Sequence, residues 1–478
     1  MLASFFLALS IALSFLPQYI LGANWSVLEN GSTINPVWKI FKTPTEWDVK
    51  EKKNLKWVTS LGSQTYATPV ISNGMVFIGT NNDSPRDSAQ VGDQGVLMVF
   101  RESDGKFLWQ ATSEKLPSDV NDWPHVGISS TPLVKQDRLY YVTNRCEVVC
   151  LDTQGFLDGE NDGPFKEEKS TQKVDADVVW KLDMIQQLGV FPHNTSNSSP
   201  VGLGDLIFIG TSNGQNGDHT KVPAPQAPTI VALDQITGDP VWMDNSPGNL
   251  ILNGQWASPI VGQVEGVNQV IMGQGDGWVR SYEALTGQKL WEFDTNPPDS
   301  VYPRTRNSIL ATPLLHGNYV YIANGQDPEN GEGKGHLYCI DATKRGDITK
   351  TGLVWHQGRI RRSLSTPAIY EGLIYCPDFS GFLHCLDAKT GYSYWTHDTF
   401  AAIWGSPTIV NGHIYLGDED GDIVILKTGK TEQVVAEINM GDPVYSMPVI
   451  SGRNLFISTS TTLFAVSQSE EPETLTSD

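Results

Sequence analysis

Eight times along the chain a proline is followed at once by a short apolar run and then by a turn, usually one containing glycine. The prolines are Pro69, Pro132, Pro200, Pro259, Pro313, Pro367, Pro407 and Pro448, spaced 40 to 68 residues apart. Seven follow Ser or Thr (Thr68, Thr131, Ser199, Ser258, Thr312, Thr366 and Ser406), and the eighth follows Met447. Each unit reads as short β-rich runs: ATPVI, MVFIGT, VLMVF and KFLW in the first, STPAI, LIYC, FLHCLD and YSYW in the sixth. Runs of this composition between Gly turns form antiparallel strands. One four-stranded sheet cannot bury both faces, so the units must pack face to face around an axis. The expected fold is all-β, an eight-bladed β-propeller of four-stranded antiparallel blades.

A second register supports this. Gly105 and Trp109, Gly238 and Trp242, Gly287 and Trp291, and Gly391 and Trp395 are all G-x-x-x-W, while Trp180 and Trp355 close two units behind altered turns. One aromatic per outer strand would wedge between neighbouring blades. Trp57, in NLKWVTSL, has no unit of its own, and the eighth unit ends after SMPVI, NLFIST and TLFAVS. The N-terminal strand around Trp57 is therefore expected to complete the last blade and remove an open edge. The plan is a signal peptide at 1–23, an irregular segment at 24–56 holding Trp25, Trp38 and Trp47, the propeller at 57–466, and a disordered acidic tail at 467–478.

The stretches ALDQITGDPVW at 232–242 and CLDAKTGYSYW at 385–395, with weaker copies at 281–291 and 99–109, resemble the repeat of the pyrroloquinoline-quinone (PQQ)-type propeller family. The resemblance covers roughly 57–466 and implies the fold more than a function. That family includes PQQ-dependent dehydrogenases, the propeller lipoprotein of the outer-membrane assembly machinery, and exported proteins of no known activity. The dehydrogenases carry two adjacent cysteines against the cofactor, and a Ca²⁺ held by a Glu and an Asn beside an Asp base. This sequence has no Cys-Cys pair, and none of those carboxylates or amides maps onto a position here. The resemblance thus implies the non-catalytic branch, with no catalytic residue and no cofactor; PQQ and Ca²⁺ remain the alternative. The assembly lipoprotein is lipid-anchored through a Cys, which does not follow the apolar run here.

Composition narrows the partners. The formal net charge is −21, which disfavours a phosphate backbone as ligand, so no nucleic-acid partner is expected. The apolar run at 2–16 is too short to span a bilayer, and Gly22 and Ala23 suit signal cleavage. The mature chain is expected to be exported, periplasmic or extracellular, soluble and monomeric, with no transmembrane segment. The five cysteines do not make a disulfide scaffold; Cys376 and Cys385 flank one hairpin and could face each other, and buried thiols are the default for all five.

Long second-to-third-strand hairpins (81–94, 212–227 and 325–334) and long inter-blade links (110–126, 183–195 and 293–308) fall on one face of the ring. Loops concentrated on one rim mark a binding side, or simply cover blade ends. Three residues before each proline stand Tyr66, Ser129, Asn197, Trp256, Leu310, Leu364, Trp404 and Tyr445, near the channel mouth. Trp404, Tyr445 and Tyr66 are neighbours in ring order and could stack on a quinone or a sugar, or merely cap seams. Five of twelve Arg (Arg304, Arg306, Arg359, Arg361 and Arg362) lie in two consecutive links on that face, as an anion site or as salt bridges. Asp158, Glu160 and Asp162 precede Gly163 like the start of a Ca²⁺ loop, but the twelfth position is Lys169 where a Glu is expected. The function expected is a binding or protein-interaction scaffold. A quinoprotein oxidoreductase and a carbohydrate-binding propeller are the alternatives.

Overall fold

In the computed structural model, which describes residues 43–327 and 333–467, each of the eight prolines stands one residue ahead of a short innermost strand, such as Val70–Ser72 or Ala368–Tyr370. Proline suits that place because its φ is fixed and its missing N–H is not needed before a strand begins. In blade one, Met75–Asn81, Gln94–Arg101 and Phe107–Glu114 follow as an antiparallel meander. The same order recurs in eight sheets. The eighth is completed by Leu55–Ser60 pairing with Thr462–Ser467, Trp57 opposite Ala465, so the ring closes through its N-terminal strand. That strand starts two residues before Trp57, and the last one ends at Ser467. The signal peptide expected at 1–23, residues 24–42 and the tail beyond Ser467 lie outside the described residues.

Eight seams separate eight blades, and each holds its own apolar cluster around a tryptophan. Trp57, Trp109, Trp180, Trp242, Trp291, Trp355 and Trp395 serve seven of them. Blade seven has Ala436 at the equivalent outer-strand position. Its seam with blade eight is filled instead by Trp47, held from below by Tyr415, whose hydroxyl reaches the Pro44 carbonyl at 3.0 Å. The segment before the first strand thus supplies the missing eighth wedge.

The G-x-x-x-W signal serves two blades at once. The indole Nε1 of Trp57, Trp180, Trp242 and Trp355 donates to a carbonyl of the next blade at 2.9 to 3.1 Å. Its ring lies over the glycine of that next blade's turn: a Cβ on Gly105, Gly238, Gly287 or Gly391 would come within 2.5 to 2.7 Å of the indole. On their own sheets most of these tryptophans face a small residue, such as Cys150 opposite Trp180, Ala232 opposite Trp242 and Cys385 opposite Trp395, while Trp109 faces Val99.

Register also corrects one expectation. Cys376 pairs with His384 and Cys385 with Tyr375, so the two thiols stand on opposite faces of blade six, in different seams. They cannot bond, and all five cysteines are free and buried. Blade four is a departure from four strands, gaining a fifth, Gly346–Asp347, parallel to its outer strand and donated by blade five.

Candidate functional site

All eight residues that stand three before the prolines line one pocket of about 360 Å³ at the channel mouth. Tyr66 stacks on Tyr445 with centroids 4.9 Å apart, and Trp404 lies 5.4 Å from Tyr445 and 6.0 Å from Tyr66. Phe379 braces Trp404 edge-on at 5.3 Å. Across the channel Trp256 donates to the His193 carbonyl at 3.0 Å and leans on that imidazole. Burial pushes His193 down to about 4, so its ring is neutral at pH 7. Burial first, then the Tyr66 and Glu419 neighbours, pushes the Tyr445 phenol up to about 12; Tyr66 is raised by burial and Glu419. Both phenols are neutral.

Ser129, Asn194, Thr195 and Asn197 form the polar side of the mouth, with Trp123 and Asp327 at its edge. Two polar atoms here have no partner among the described residues although both are buried: Trp404 Nε1 and Asn197 Oδ1. Below lies a narrower cavity of about 170 Å³ lined by the pre-proline Ser and Thr. The Thr68 amide donates to the Thr131 hydroxyl at 3.1 Å, Thr131 to Ser199 at 3.0 Å, Ser199 to Ser258 at 2.9 Å, and Thr366 to Ser406 at 3.0 Å. These hydroxyls latch adjacent innermost strands, which explains their recurrence; Met447 cannot continue the chain. Sequence reasoning missed this role although the Ser/Thr-Pro pairs were in view.

The long loops do share this face and interlock. The Asn121 amide donates to the Pro192 carbonyl at 2.7 Å, Pro192 bridges Asn213, and Ser308 bridges Gly325. Large apolar side chains stand out on this face: Val91 is 76 % exposed, and Phe400, in the short link from blade six to blade seven, 87 %. Trp123, Val301 and Tyr302 are also exposed there.

None of the five arginines lines the mouth. Arg306 pairs with Asp294 at 2.6 Å, and half-buried Arg362 reaches Asn307 at 3.3 Å. Arg359 and Arg361 border a lateral pocket between blades five and six, and Arg304 is exposed. The five arginines, expected as an anion site on this face or as salt bridges, therefore do not join the aromatics at the mouth: Arg359 and Arg361 sit in the outer strand Leu353–Arg361 of blade five, and Arg304 and Arg306 in the link after blade four. Asp158, Glu160 and Asp162 do not converge: Asp162 pairs with Arg138 at 2.9 Å, and Asp158 caps the Glu160 amide at 2.9 Å. Among the described residues no group of three or more His, Cys, Asp or Glu is placed to hold a metal ion. PQQ is a tricarboxylate beside a cation, and among the described residues this mouth offers it aromatics, amides, hydroxyls and Asp327 but no guanidinium or ammonium group. The donor set does not fit it.

The family model described as outer membrane protein assembly factor BamB matches residues 45–160, 215–351 and 333–434, well over half the chain. A curated relative of that description from Legionella pneumophila is 22 % identical over 227 residues, 45 % of this chain and 51 % of its own. The chain spans about half the length of the curated relatives it matches. Among solved structures, BamB from Moraxella catarrhalis superimposes with a TM-score of 0.55 at 14 % identity, covering 87 % of this chain and 99 % of that one. A europium-containing methanol dehydrogenase gives 0.63 at 12 %, covering 89 % and 96 %. Both are alike in fold, and neither decides function.

Proposed function

This chain belongs to the outer membrane protein assembly factor BamB family, and from that premise we propose that it is a non-enzymatic scaffold that docks a protein partner on its long-loop face during outer-membrane protein assembly. Export to the periplasm follows from that reading; among the described residues no helix is long and apolar enough to cross a membrane.

The observation that carries the reading is Phe400. It sits at φ +61, a conformation costly for a bulky residue, with its side chain 87 % exposed. The loop is built to hold it so: the Asp398 carboxylate accepts the Phe400 amide at 2.8 Å, and the Thr399 hydroxyl donates to the Ala401 carbonyl at 2.9 Å. A rigidly presented aromatic on a rim of other exposed apolar groups is what an interface anchor looks like. Tyr392, on the opposite face and 65 % exposed, is the internal control.

A photo-crosslinking residue placed at 400 or at 392 tests this in the native host. Crosslinks from position 400 to an outer-membrane assembly component, and none from 392, support the reading. Equal yields from both positions, or none, sink it. So would turnover of an alcohol or sugar in a dye-linked assay after reconstitution with PQQ and Ca²⁺.

A further inference from the structure

The ring of eight at the channel mouth is mostly apolar, with one polar stretch. One side is an aromatic wall, Tyr66, Trp404 and Tyr445, whose rings touch one another at 4.9 to 6.0 Å. Next to it in ring order come Ser129 and Asn197, with Asn194 also lining the pocket, and Trp256, Leu310 and Leu364 complete the ring. We propose that this pocket binds a neutral saccharide of one or two rings, its C–H face against the aromatic wall and its hydroxyls toward the polar side. The site lies on the ring axis and stands apart from the rim docking proposed above.

Three observations select this ligand class. First, buried polar atoms are costly unless hydrogen-bonded. Trp404 Nε1 is a donor and Asn197 Oδ1 an acceptor, both buried and both without a partner among the described residues, and both residues line the pocket. Neither atom is open to the cavity, so a hydroxyl reaches it only once the covering side chains part; a hydroxyl both gives and accepts, and a polyol can then satisfy the two together. Second, among the described residues no Lys or Arg lines the mouth, Asp327 does, and Glu419 lies near Tyr66 and Tyr445. That disfavours carboxylate and phosphate ligands. Third, the three rings are packed on each other rather than splayed, which leaves no cage among them for an ammonium group. An open aromatic surface of this kind suits the flat C–H face of a pyranose. The pocket volume, about 360 Å³, is at the lower end for small-molecule sites.

The test is calorimetric titration of the full chain with glucose, cellobiose and N,N′-diacetylchitobiose, with citrate and tetramethylammonium as contrasting probes. Saturable binding of at least one sugar is expected, weakened at least tenfold by Trp404→Ala. Trp404→Phe keeps a ring and removes the N–H, and Asn197→Leu removes the acceptor; each should weaken binding roughly three- to tenfold. These two variants decide the matter if Trp404→Ala does not fold. Absence of saturable sugar binding, binding unchanged in both Trp404→Phe and Asn197→Leu, or binding of citrate or tetramethylammonium alone would overturn the proposal.

Discussion

Gly238→Ala should destabilise this protein far more than Gly204→Ala, although both glycines sit in turns of blade three with positive φ, +76° and +57°. Forcing an L residue into the left-handed region costs about 1–2 kcal/mol, of which about 0.4–1 is returned because alanine stiffens the unfolded chain. Nothing lies within 4 Å of a Cβ at Gly204, so that remainder, about 1 kcal/mol or less, is the whole effect expected there. At Gly238 the new methyl would stand 2.5 to 2.9 Å from three atoms of the Trp180 ring. The indole cannot withdraw freely. It is buried in the seam between blades two and three, donates to the Gln235 carbonyl at 3.1 Å and packs against Tyr140 at 5.9 Å. Overpacking adds about 1–3 kcal/mol and a strained hydrogen bond about 1 more, for a total near 3 kcal/mol. Urea unfolding followed by circular dichroism measures both variants. In the Trp180→Phe background the gap should shrink, since the smaller ring leaves room. If the two alanine variants agree within about 0.5 kcal/mol in the wild-type background, the account of glycine as a seat for the neighbouring blade's tryptophan is wrong.

Removing the closing wedge by Trp57→Ala should cost about 3–5 kcal/mol, because the ring packs against Phe456 at 5.7 Å and loses its bond to the Glu102 carbonyl. Hydrogen exchange should then show early opening of Leu55–Ser60 and Thr462–Ser467, and unchanged protection there would contradict ring closure. Burial, offset in part by the Asp422 and Asp420 amides and reinforced by nearby carboxylates, pushes Asp418 up to about 6. The folded state therefore holds a proton that the unfolded state releases near pH 4, so this group's contribution to stability falls as pH rises from about 4 to 6. Asp418→Asn should flatten that part of the profile, by on the order of 2 kcal/mol across the window, in unfolding midpoints measured from pH 4 to 7. Burial pushes Cys146, Cys150, Cys339 and Cys385 up to about 12 and raises Cys376 as well, so a thiol reagent at pH 8 should label none of the five in the folded chain and all five after denaturation.

Blade number, strand order and ring closure were legible because each depends on a local signal repeated in register: Ser/Thr-Pro, a Gly turn, a tryptophan. The convergence of Tyr66, Trp404 and Tyr445 was legible for the same reason, since identical positions in repeated units must lie at one radius. Cys146 shows how far register reaches. It takes φ +61 at the turn where Gly277, Gly381 and Gly421 take +81, +94 and +88. What register could not report was any contact between parts out of phase with the repeat. Trp47 filling the seam that lacks its own wedge, and Gly346–Asp347 joining a foreign blade, are contacts of that kind.

Periodic sequence by itself determined the ring, because a strand's neighbours and faces follow from spacing and alternation along the chain. Only the tertiary structure decided which side chains meet. Loop paths carried Arg306 and Arg362 outward to Asp294 and Asn307, pleat direction separated Cys376 from Cys385, and two buried polar atoms of mouth-lining residues were left without a partner among the described residues. Those outcomes depend on distances across the ring, and short-range patterns hold no record of them.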